Sequence, residues 1–234
     1  MFIILSIGGF LWLRVRQKLR ESKAKMANAN LRQRFLRTQL NPHFFFHALS
    51  SIEGYIYANE REPAAQFLRN FSKLMRSILE SSDQDFVTLE QDLDMLREYL
   101  TLQQLNSDFQ FEYALNVSDE LQGQGLKIPP MLIQPAVENA ILHGALNTEQ
   151  GTVNIECAPN GNRMQIRIAD NGPGPSANQR DHNTLHRSMS TDIVKERIRN
   201  LKELHGIDIL YSISAGKSSG TAVVFDLPML KAVS

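Results

Sequence analysis

The sequence predicts an α+β protein in which an N-terminal helical hairpin precedes an α/β sandwich domain. Two patterns predict this class. Apolar residues recur at helical spacing between about residues 42 and 100, whereas short alternating segments separated by turn residues begin at about residue 108. With 42% hydrophobic residues in 234, the chain is also long enough to bury the core of one large domain or two modest ones.

The charge composition is balanced, with 25 basic and 25 acidic residues. This balance argues against a globally basic nucleic-acid-binding protein and against an acidic disordered tail, so we expect no nucleic-acid partner. Cys157 is the only cysteine. It therefore excludes an intrachain disulfide and any cysteine-based metal site, and it fits a reducing compartment.

Residues 1–13, MFIILSIGGFLWL, form an apolar segment. At ~1.5 Å per residue a helix of this length reaches about 20 Å, short of the roughly 30 Å hydrocarbon core of a bilayer. The basic residues follow the apolar run, which argues against a secretory signal. We interpret residues 1–13 as the C-terminal part of a transmembrane helix with Trp12 at the interface, which places the protein in the cell (inner) membrane with its folded domains in the cytoplasm. A soluble helix with an apolar end is the alternative.

Residues 14–37 are predicted to form a basic connecting helix. The segment contains no Gly or Pro, and its only acidic residue is Glu21. Positions Leu19, Met26, Gln33 and Leu40 repeat at seven-residue spacing, which indicates a weak coiled coil interrupted by one polar residue.

Residues 38–84 are predicted to form the helical hairpin. The first helix follows Pro42 and the second begins at Glu62-Pro63, where proline is tolerated. Each carries an apolar stripe: Phe45, Ala48, Leu49, Ile52 and Ile56 in the first, and Phe67, Leu68, Phe71, Leu74, Met75, Ile78 and Leu79 in the second. Because neither helix can bury its stripe alone, we expect two chains to join in a homodimeric four-helix bundle.

The stretch NPHFFFHALSS places His43 and His47 one helical turn apart. At 100° per residue both fall opposite the apolar stripe, on the face that carries Ser50 and Gly54. We therefore expect exposed imidazoles rather than core histidines. A zinc site is disfavoured because no third or fourth ligand stands nearby at suitable spacing.

Residues 85–234 are predicted to form the sandwich domain. Thr88 and Gln91 form a capping-box pattern that opens a helix with Leu89, Leu93, Leu96 and Leu100 on one face. The elements that follow are strand FQFEYALNV, a helix at 130–146, strands TVNIECA and RMQIRIAD, a long loop, a helix at 190–204, and strands ILYSIS and TAVVFDL.

Asp170 ends the strand RMQIRIAD on the same face as its apolar residues. A carboxylate in that position needs a hydrogen-bond donor, and the amino group of a bound adenine is one candidate. The other reading is that Asp170 orders the turn Asp-Asn-Gly-Pro-Gly. The polar run at 175–189 is longer than ordinary connections between elements. This length indicates a lid that covers a bound ligand.

The segment PPMLIQPAVENAILHG places Asn139 and His143 on a polar ridge, one turn apart, while Ile133, Val137, Ala140 and Gly144 face the core. An amide oxygen can complete a magnesium shell made mostly of phosphate and water oxygens, and a neighbouring imidazole can contact phosphate. Gly220 permits close backbone approach, and the Thr221 hydroxyl can bond a base or its water. Taken alone, a pair such as Asn139 and His143 is more often a pair of exposed polar side chains without a ligand. Gly220 and Thr221 alone would predict nothing.

Together these segments resemble the GHKL ATPase fold shared by gyrase, MutL and sensor histidine kinases. ENAILHG resembles its N box, DNGPG its G1 box and SSGTAV its final box. QLNPHFFFHALSSI and PPMLIQPAVENAILHG are similar to the signatures of LytS-type sensor histidine kinases. The resemblance covers about residues 38–228.

The resemblance implies an ATP-dependent protein-histidine kinase of a two-component system. The GHKL domain would hold ATP and Mg²⁺ and give the γ-phosphoryl group to His43, from which it passes to an aspartate of a response regulator receiver domain. By the same resemblance, Asn139 would hold the magnesium ion and Asp170 the adenine amine. Gly172 and Gly174 would form the turn beneath the nucleotide, and Thr221 would contact the region of the base.

The chain departs from the family pattern in two places. His47 and Ser50 stand where the family has asparagines, so His47 is a possible partner of His43 or an alternative acceptor. The second glycine box is replaced by HRSMSTDIVKERI, and we expect backbone amides near Ser188 to Thr191, opening the helix, to bind phosphate with hydroxyl help. This second departure keeps two other interpretations open: a nucleotide-binding signalling scaffold, and an enzyme dominated by phosphatase action on the response regulator.

Overall fold

The computed structural model describes Arg14 and residues 42–105, 111–174, 184–216 and 219–231. The predicted membrane segment 1–13, the connecting helix 14–37 apart from Arg14, and residues 175–183 of the long loop lie outside these ranges. The chain divides into two compact units, Met1–His47 and Ala48–Ser234. Within the described ranges, no helix combines the length and apolar character needed to cross a bilayer.

Two helices form the predicted hairpin, α1 (Pro42–Tyr57) and α2 (Arg61–Ser82). Proline opens α1 and stands in the first turn of α2, where its missing N–H breaks no helical hydrogen bond. The connection passes through Asn59 at φ 58°, a left-handed conformation that asparagine tolerates. The Tyr55 and Phe67 ring centroids lie 6.2 Å apart, so the two helices contact each other.

The apolar stripes of the hairpin are buried only in part. Phe67, Leu74 and Ile78 of α2 are buried, which confirms the prediction for that side. Four other stripe residues remain exposed in the single chain: Leu49 (57%), Ile56 (65%), Leu68 (51%) and Leu79 (59%). This agrees with the expectation that the hairpin leaves apolar surface uncovered, although α2 also packs on the helix that follows it.

That following helix is α3 (Leu89–Leu105), preceded by the short strand β1 (Val87–Thr88). The predicted capping box is present, since the Thr88 amide donates to Gln91 Oε1 at 3.0 Å and the Gln91 amide donates to Thr88 Oγ1 at 3.2 Å. Glu98 joins α3 to α2 by pairing with Lys73 at 2.9 Å and accepting from Ser77 at 3.3 Å. Helix α3 is therefore shared by the hairpin and the sandwich.

A five-stranded sheet forms the second layer. Its strands are β2 (Phe111–Val117), β4 (Gly151–Asn160), β5 (Arg163–Asp170), β6 (Leu210–Ala215) and β7 (Thr221–Pro228), in the order β2-β4-β5-β7-β6. β2 and β4 are parallel and the other pairs antiparallel. A smaller sheet joins β1 to β3 (Leu126–Ile128) and β8 (Leu230–Lys231). All predicted strands are present, and the α+β class is confirmed.

Helices cover the face of the large sheet that carries its buried residues. α4 (Gln134–Asn139) continues as a π-helical turn, Ala140–Gly144, and a 3₁₀ turn, Ala145–Asn147. The predicted start at residue 130 is wrong, because two prolines and Met131 at φ 55° keep residues 129–131 out of the helix. The helix α5 (Thr184–His205) begins six residues before residue 190, where the sequence predicted its start.

Candidate functional site

A cleft opens between α4, α5 and strands β5, β6 and β7. Five of the side chains singled out in the sequence line it: Asn139, His143, Asp170, Thr191 and Thr221. Its apolar walls are Ala136, Ala140, Ile168, Val194, Ile213 and Val223, together with the ring of Tyr211. Mostly apolar walls with a few convergent polar groups are typical of a small-molecule site.

Asp170 lies at the inner end of this cleft and is 9% exposed. Its Oδ1 accepts hydrogen bonds from the Gly172 amide at 2.9 Å and the Thr221 amide at 3.2 Å. The carboxylate therefore orders the turn of DNGPG, and the same residue lines the cleft, so a contact with adenine stays a prediction. The amide of Thr221 couples the start of β7 to the end of β5 at the same point.

Glycines surround Asp170 because no side chain fits there. A Cβ at Gly144 would overlap the Asp170 carboxylate, and one at Gly172 would overlap the backbone of Gly144. Gly220, at φ 80°, places its α-carbon against the Asp170 carbonyl. Gly174, at φ 85°, lies beside the Gly220 carbonyl. The backbones of three segments thus approach more closely than any other residue would allow.

Asn139 and His143 line the cleft from a helix that changes from α-helical to π-helical geometry between them. Asn139 ends the α-helical part of α4, and His143 lies in the π-helical turn. Both side chains line the cleft, and their roles toward a ligand stay predictions, whereas the regular α-helix assumed across residues 140–144 is wrong. Single π-helical turns within helices occur frequently at functional sites.

Helix α5 contributes Thr191, which shares a side-chain hydrogen bond with Tyr211 of β6. Burial raises the pKa of Tyr211, whose ring packs on Phe225 at a centroid distance of 5.0 Å. The expectation that residues 188–191 open the helix is wrong, because α5 begins at Thr184. Amides at 188–191 therefore lie inside the helix, where they bond to the preceding turn. The side chain of Ser188 lies outside the described side chains.

The two histidines of the predicted acceptor region lie on α1, as expected. His47 is partly exposed. The side chain of His43 falls outside the described side chains, so its exposure stays a prediction.

A partly buried polar cluster beside Asn139 was not predicted from the sequence. Glu138 accepts from Gln134 Nε2 at 3.1 Å, and burial raises the pKa of Glu138 to about 7. Across from it, Gln103 Nε2 donates to the Tyr99 hydroxyl at 2.8 Å, and the pKa of Tyr99 is raised by burial and then by the charge of Glu138. The signal was the i,i+4 spacing of Tyr99 with Gln103 and of Gln134 with Glu138.

The residues of the cleft fit a magnesium nucleotide. Asn139 offers an amide oxygen, and the adjacent His143 offers an imidazole to phosphate. The apolar walls suit a flat ring, and the Asp170 carboxylate lies where an amino group can meet it.

Two family models match most of the chain between them. Residues 31–111 match the histidine kinase family, and residues 130–231 match the family described as histidine kinase-, DNA gyrase B-, and HSP90-like ATPase. The fold and the cleft thus define a GHKL-type ATPase domain joined to a histidine kinase helical region. The chain belongs to the sensor histidine kinases.

Curated relatives agree with this assignment. The sensor histidine kinase YpdA of Escherichia coli K12 is 30% identical over 213 residues, which are 89% of this chain and 36% of the relative. The sensor histidine kinase/phosphatase LytS of Staphylococcus aureus MRSA252 is 34% identical over 143 residues, or 60% of this chain and 24% of the relative. The chain thus matches about a third or less of the length of these proteins.

Solved structures of similar fold include the histidine kinase domain of the blue-light activated kinase EL346 of Erythrobacter litoralis. It has a TM-score of 0.45 and 12% identity and covers 68% of this chain and 75% of that one. The mycobacterial sensor histidine kinase MprB has a TM-score of 0.41 and 19% identity, and the match covers 63% of this chain and 98% of the MprB chain.

Proposed function

We propose that the protein uses Mg-ATP to phosphorylate itself on His43 and then passes the phosphoryl group to an aspartate of a response regulator receiver domain. One observation carries the proposal. Asn139, Asp170 and Thr221, from three separate elements, line one cleft in a chain whose N-terminal region matches the histidine kinase family.

The side chains of the cleft divide the work of binding. Asp170 accepts from the adenine amine, and Gly220 and Thr221 enclose the base region. Gly172 and Gly174 shape the turn beneath the nucleotide, while His143 and the hydroxyl of Thr191 contact the phosphates. A magnesium ion held through the amide oxygen of Asn139 would neutralise charge on the phosphate oxygens.

The transfer step needs little more than positioning. The lone pair of a neutral ring nitrogen of His43 forms a bond to the γ-phosphorus while the bond from that phosphorus to the β,γ-bridging oxygen breaks, and ADP leaves with the electron pair. Imidazole is nucleophilic enough that orientation and charge neutralisation supply most of the rate. His47, one turn away on α1, is the possible partner or the alternative acceptor.

The acceptor is tested by incubating the whole chain with labelled ATP and Mg²⁺ and measuring acid-labile, base-stable phosphate. His43→Gln is expected to abolish the label, and His47→Gln, the matched control on the same helix, to retain it. Label retained in the first variant and lost in the second would transfer the acceptor role to His47. Chelation of Mg²⁺ is expected to prevent labelling of the wild-type chain.

The partners follow from the same proposal. The exposed residues Leu49, Ile56, Leu68 and Leu79 support a homodimer formed through the hairpin. We assign residues 38–84 to this dimerisation hairpin and residues 85–234 to the ATP-binding domain. We further propose that residues 1–13 are the C-terminal part of a transmembrane helix and that the basic residues of 14–37 keep the kinase domains on the cytoplasmic side.

A second candidate is a nucleotide-binding scaffold, or a homologue dominated by phosphatase action. It is favoured by the absence of glycine between Gly174 and Gly206, where the family has its second glycine box. Nucleotide bound without any label would support the scaffold. Faster loss of phosphate from a phosphorylated receiver domain on addition of the protein would support the phosphatase.

A further inference from the structure

We propose that Asp92 and Arg197 form a positioning pair that fixes both helical walls of the cleft to α3, so that nucleotide affinity depends on the pair. This inference rests on the nucleotide-binding half of the proposed function. Asp92 lies on α3, and Arg197 lies on α5, more than a hundred residues later in the sequence.

Asp92 holds the segment that leads into α4. It is 2% exposed, and its Oδ1 accepts from the Met131 amide at 2.5 Å. Met131 has φ 55°, an unfavourable conformation for an unbranched apolar residue that persists only where its surroundings impose it. The carboxylate therefore fixes the backbone three residues before α4 begins at Gln134.

Arg197 holds the other wall to the same segment. Its Nη2 donates to the Pro130 carbonyl at 2.6 Å, and its charge interacts with Asp92. Thr191 and Val194, six and three residues earlier on α5, line the cleft. Because a spacing of three residues keeps side chains on neighbouring turns of one helix face, anchoring Arg197 fixes the part of α5 that brings Val194 to the cleft.

Burial of the two charges has a cost. Burial raises the pKa of Asp92 to about 6, and burial lowers the pKa of Arg197 to about 10. A carboxyl group with a raised folded-state pKa contributes stability at low pH and loses it as the pH rises through about 6. At neutral pH the ionised form of Asp92 therefore favours folding less than its protonated form does, so we expect its charge to contribute more to the position of the two segments than to the free energy of unfolding.

The test measures binding of a fluorescent ATP analogue to the full chain with Mg²⁺ at pH 7.5, together with the melting temperature. Asp92→Asn keeps an acceptor for the Met131 amide but removes the charge that faces Arg197. We expect about tenfold weaker binding, a coupling of ordinary size between sites, with the melting temperature unchanged or raised. Adding Arg197→Gln to that variant is expected to weaken binding little further, because the two residues act together.

Asp94→Asn is the matched control. Asp94 lies on the same helix and pairs with Arg97 at 2.7 Å, but both side chains are exposed. It is expected to leave affinity and melting temperature unchanged.

Three outcomes would overturn the inference. Affinity of Asp92→Asn equal to that of the wild type would remove the positioning role. A fall in affinity matched by a fall in melting temperature would make the pair structural. If the wild-type chain itself binds no nucleotide, the proposed function fails as well, whereas the first two results leave that function intact.

Discussion

At the residue scale, the cleft depends on the space around Asp170, which the glycines keep open. The Asp170 carboxylate accepts hydrogen bonds from two backbone amides. A methyl group at Gly144 or Gly220 would come too close to that carboxylate, and one at Gly172 would overlap the Gly144 backbone beside it. The chemistry of the site is therefore sensitive to changes that add no charge and remove no donor.

Gly144→Ala tests this sensitivity. Its Cβ would overlap the Asp170 carboxylate, so we expect nucleotide affinity to fall by tenfold or more and the free energy of unfolding to fall by about 1–3 kcal/mol. Nucleotide titration and urea unfolding measure the two effects. Gly54→Ala is the control, because Gly54 lies within α1 with open space at its Cβ position. There we expect a gain of about 0.5–1 kcal/mol, and an equal loss in both variants would contradict the explanation.

Glu138 predicts a pH dependence of stability. Burial raises the pKa of Glu138 to about 7, so the stability that its protonated form contributes is present at low pH and lost as the pH rises through 7. Relative to Glu138→Gln, the wild type should lose on the order of 1–2 kcal/mol between pH 5 and pH 8, because partial exposure reduces the full effect.

Urea unfolding across this pH range measures the difference. Glu149→Gln, at an exposed position, serves as the control and should follow the wild-type curve. Parallel curves for the wild type and Glu138→Gln would show that Glu138 is ionised in both the folded and the unfolded chain.

At the element scale, α3 begins at a capping box and carries both the hairpin and the cleft. Thr88→Ala removes the oxygen that accepts from the Gln91 amide, so the free energy of unfolding should fall by about 1 kcal/mol. Thr101→Ala is a matched control on the same helix, where the hydroxyl donates to the Arg97 carbonyl. Its loss should change stability by less than about 0.5 kcal/mol, because that carbonyl already belongs to the helix. Thermal unfolding measures both variants. Equal losses of stability in Thr88→Ala and Thr101→Ala would show that the capping box does not stabilise α3 specifically.

The elements that the sequence predicts correctly are those with a local cause. Thr88 and Gln91 bond to each other, and the alternation that ends at Asp170 follows from strand geometry alone. The π-helical turn beneath His143 and the conformation of Met131 were not predictable in this way. Met131 is held by Asp92, 39 positions away in the sequence, and no local pattern reports that contact.

The early start of α5 and the short strands of the small sheet were missed for a related reason. Residues 184–189 show no apolar period, and β3 and β8 span only three and two residues, too few to display alternation. The convergence of Asn139, Asp170 and Thr221 was predictable only because three separate motifs point to the same ligand.

At the scale of the whole molecule, the exposed face of the hairpin predicts assembly. Leu49→Lys combined with Ile56→Lys places two charges on that face and should convert a dimer to monomers, because burying unpaired charges costs several kcal/mol. Sedimentation analysis measures the mass in solution.

Leu210→Lys provides the comparison, since Leu210 is equally exposed but lies on edge strand β6 of the sheet. It should leave the dimer intact. A monomeric wild type would contradict the predicted dimer. A dimer that is lost only in Leu210→Lys would place the dimer interface at the sheet instead of the hairpin.

The order of strands in the sheet has a consequence for biosynthesis. The ribosome delivers β6 before β7, yet in the described sheet β6 is an edge strand whose partner is β7. Until β7 leaves the exit tunnel, β6 has no neighbour and the nascent domain exposes an unpaired strand. Because Thr221 belongs to β7, a chain still being translated lacks one side of the cleft until this last central strand has been made.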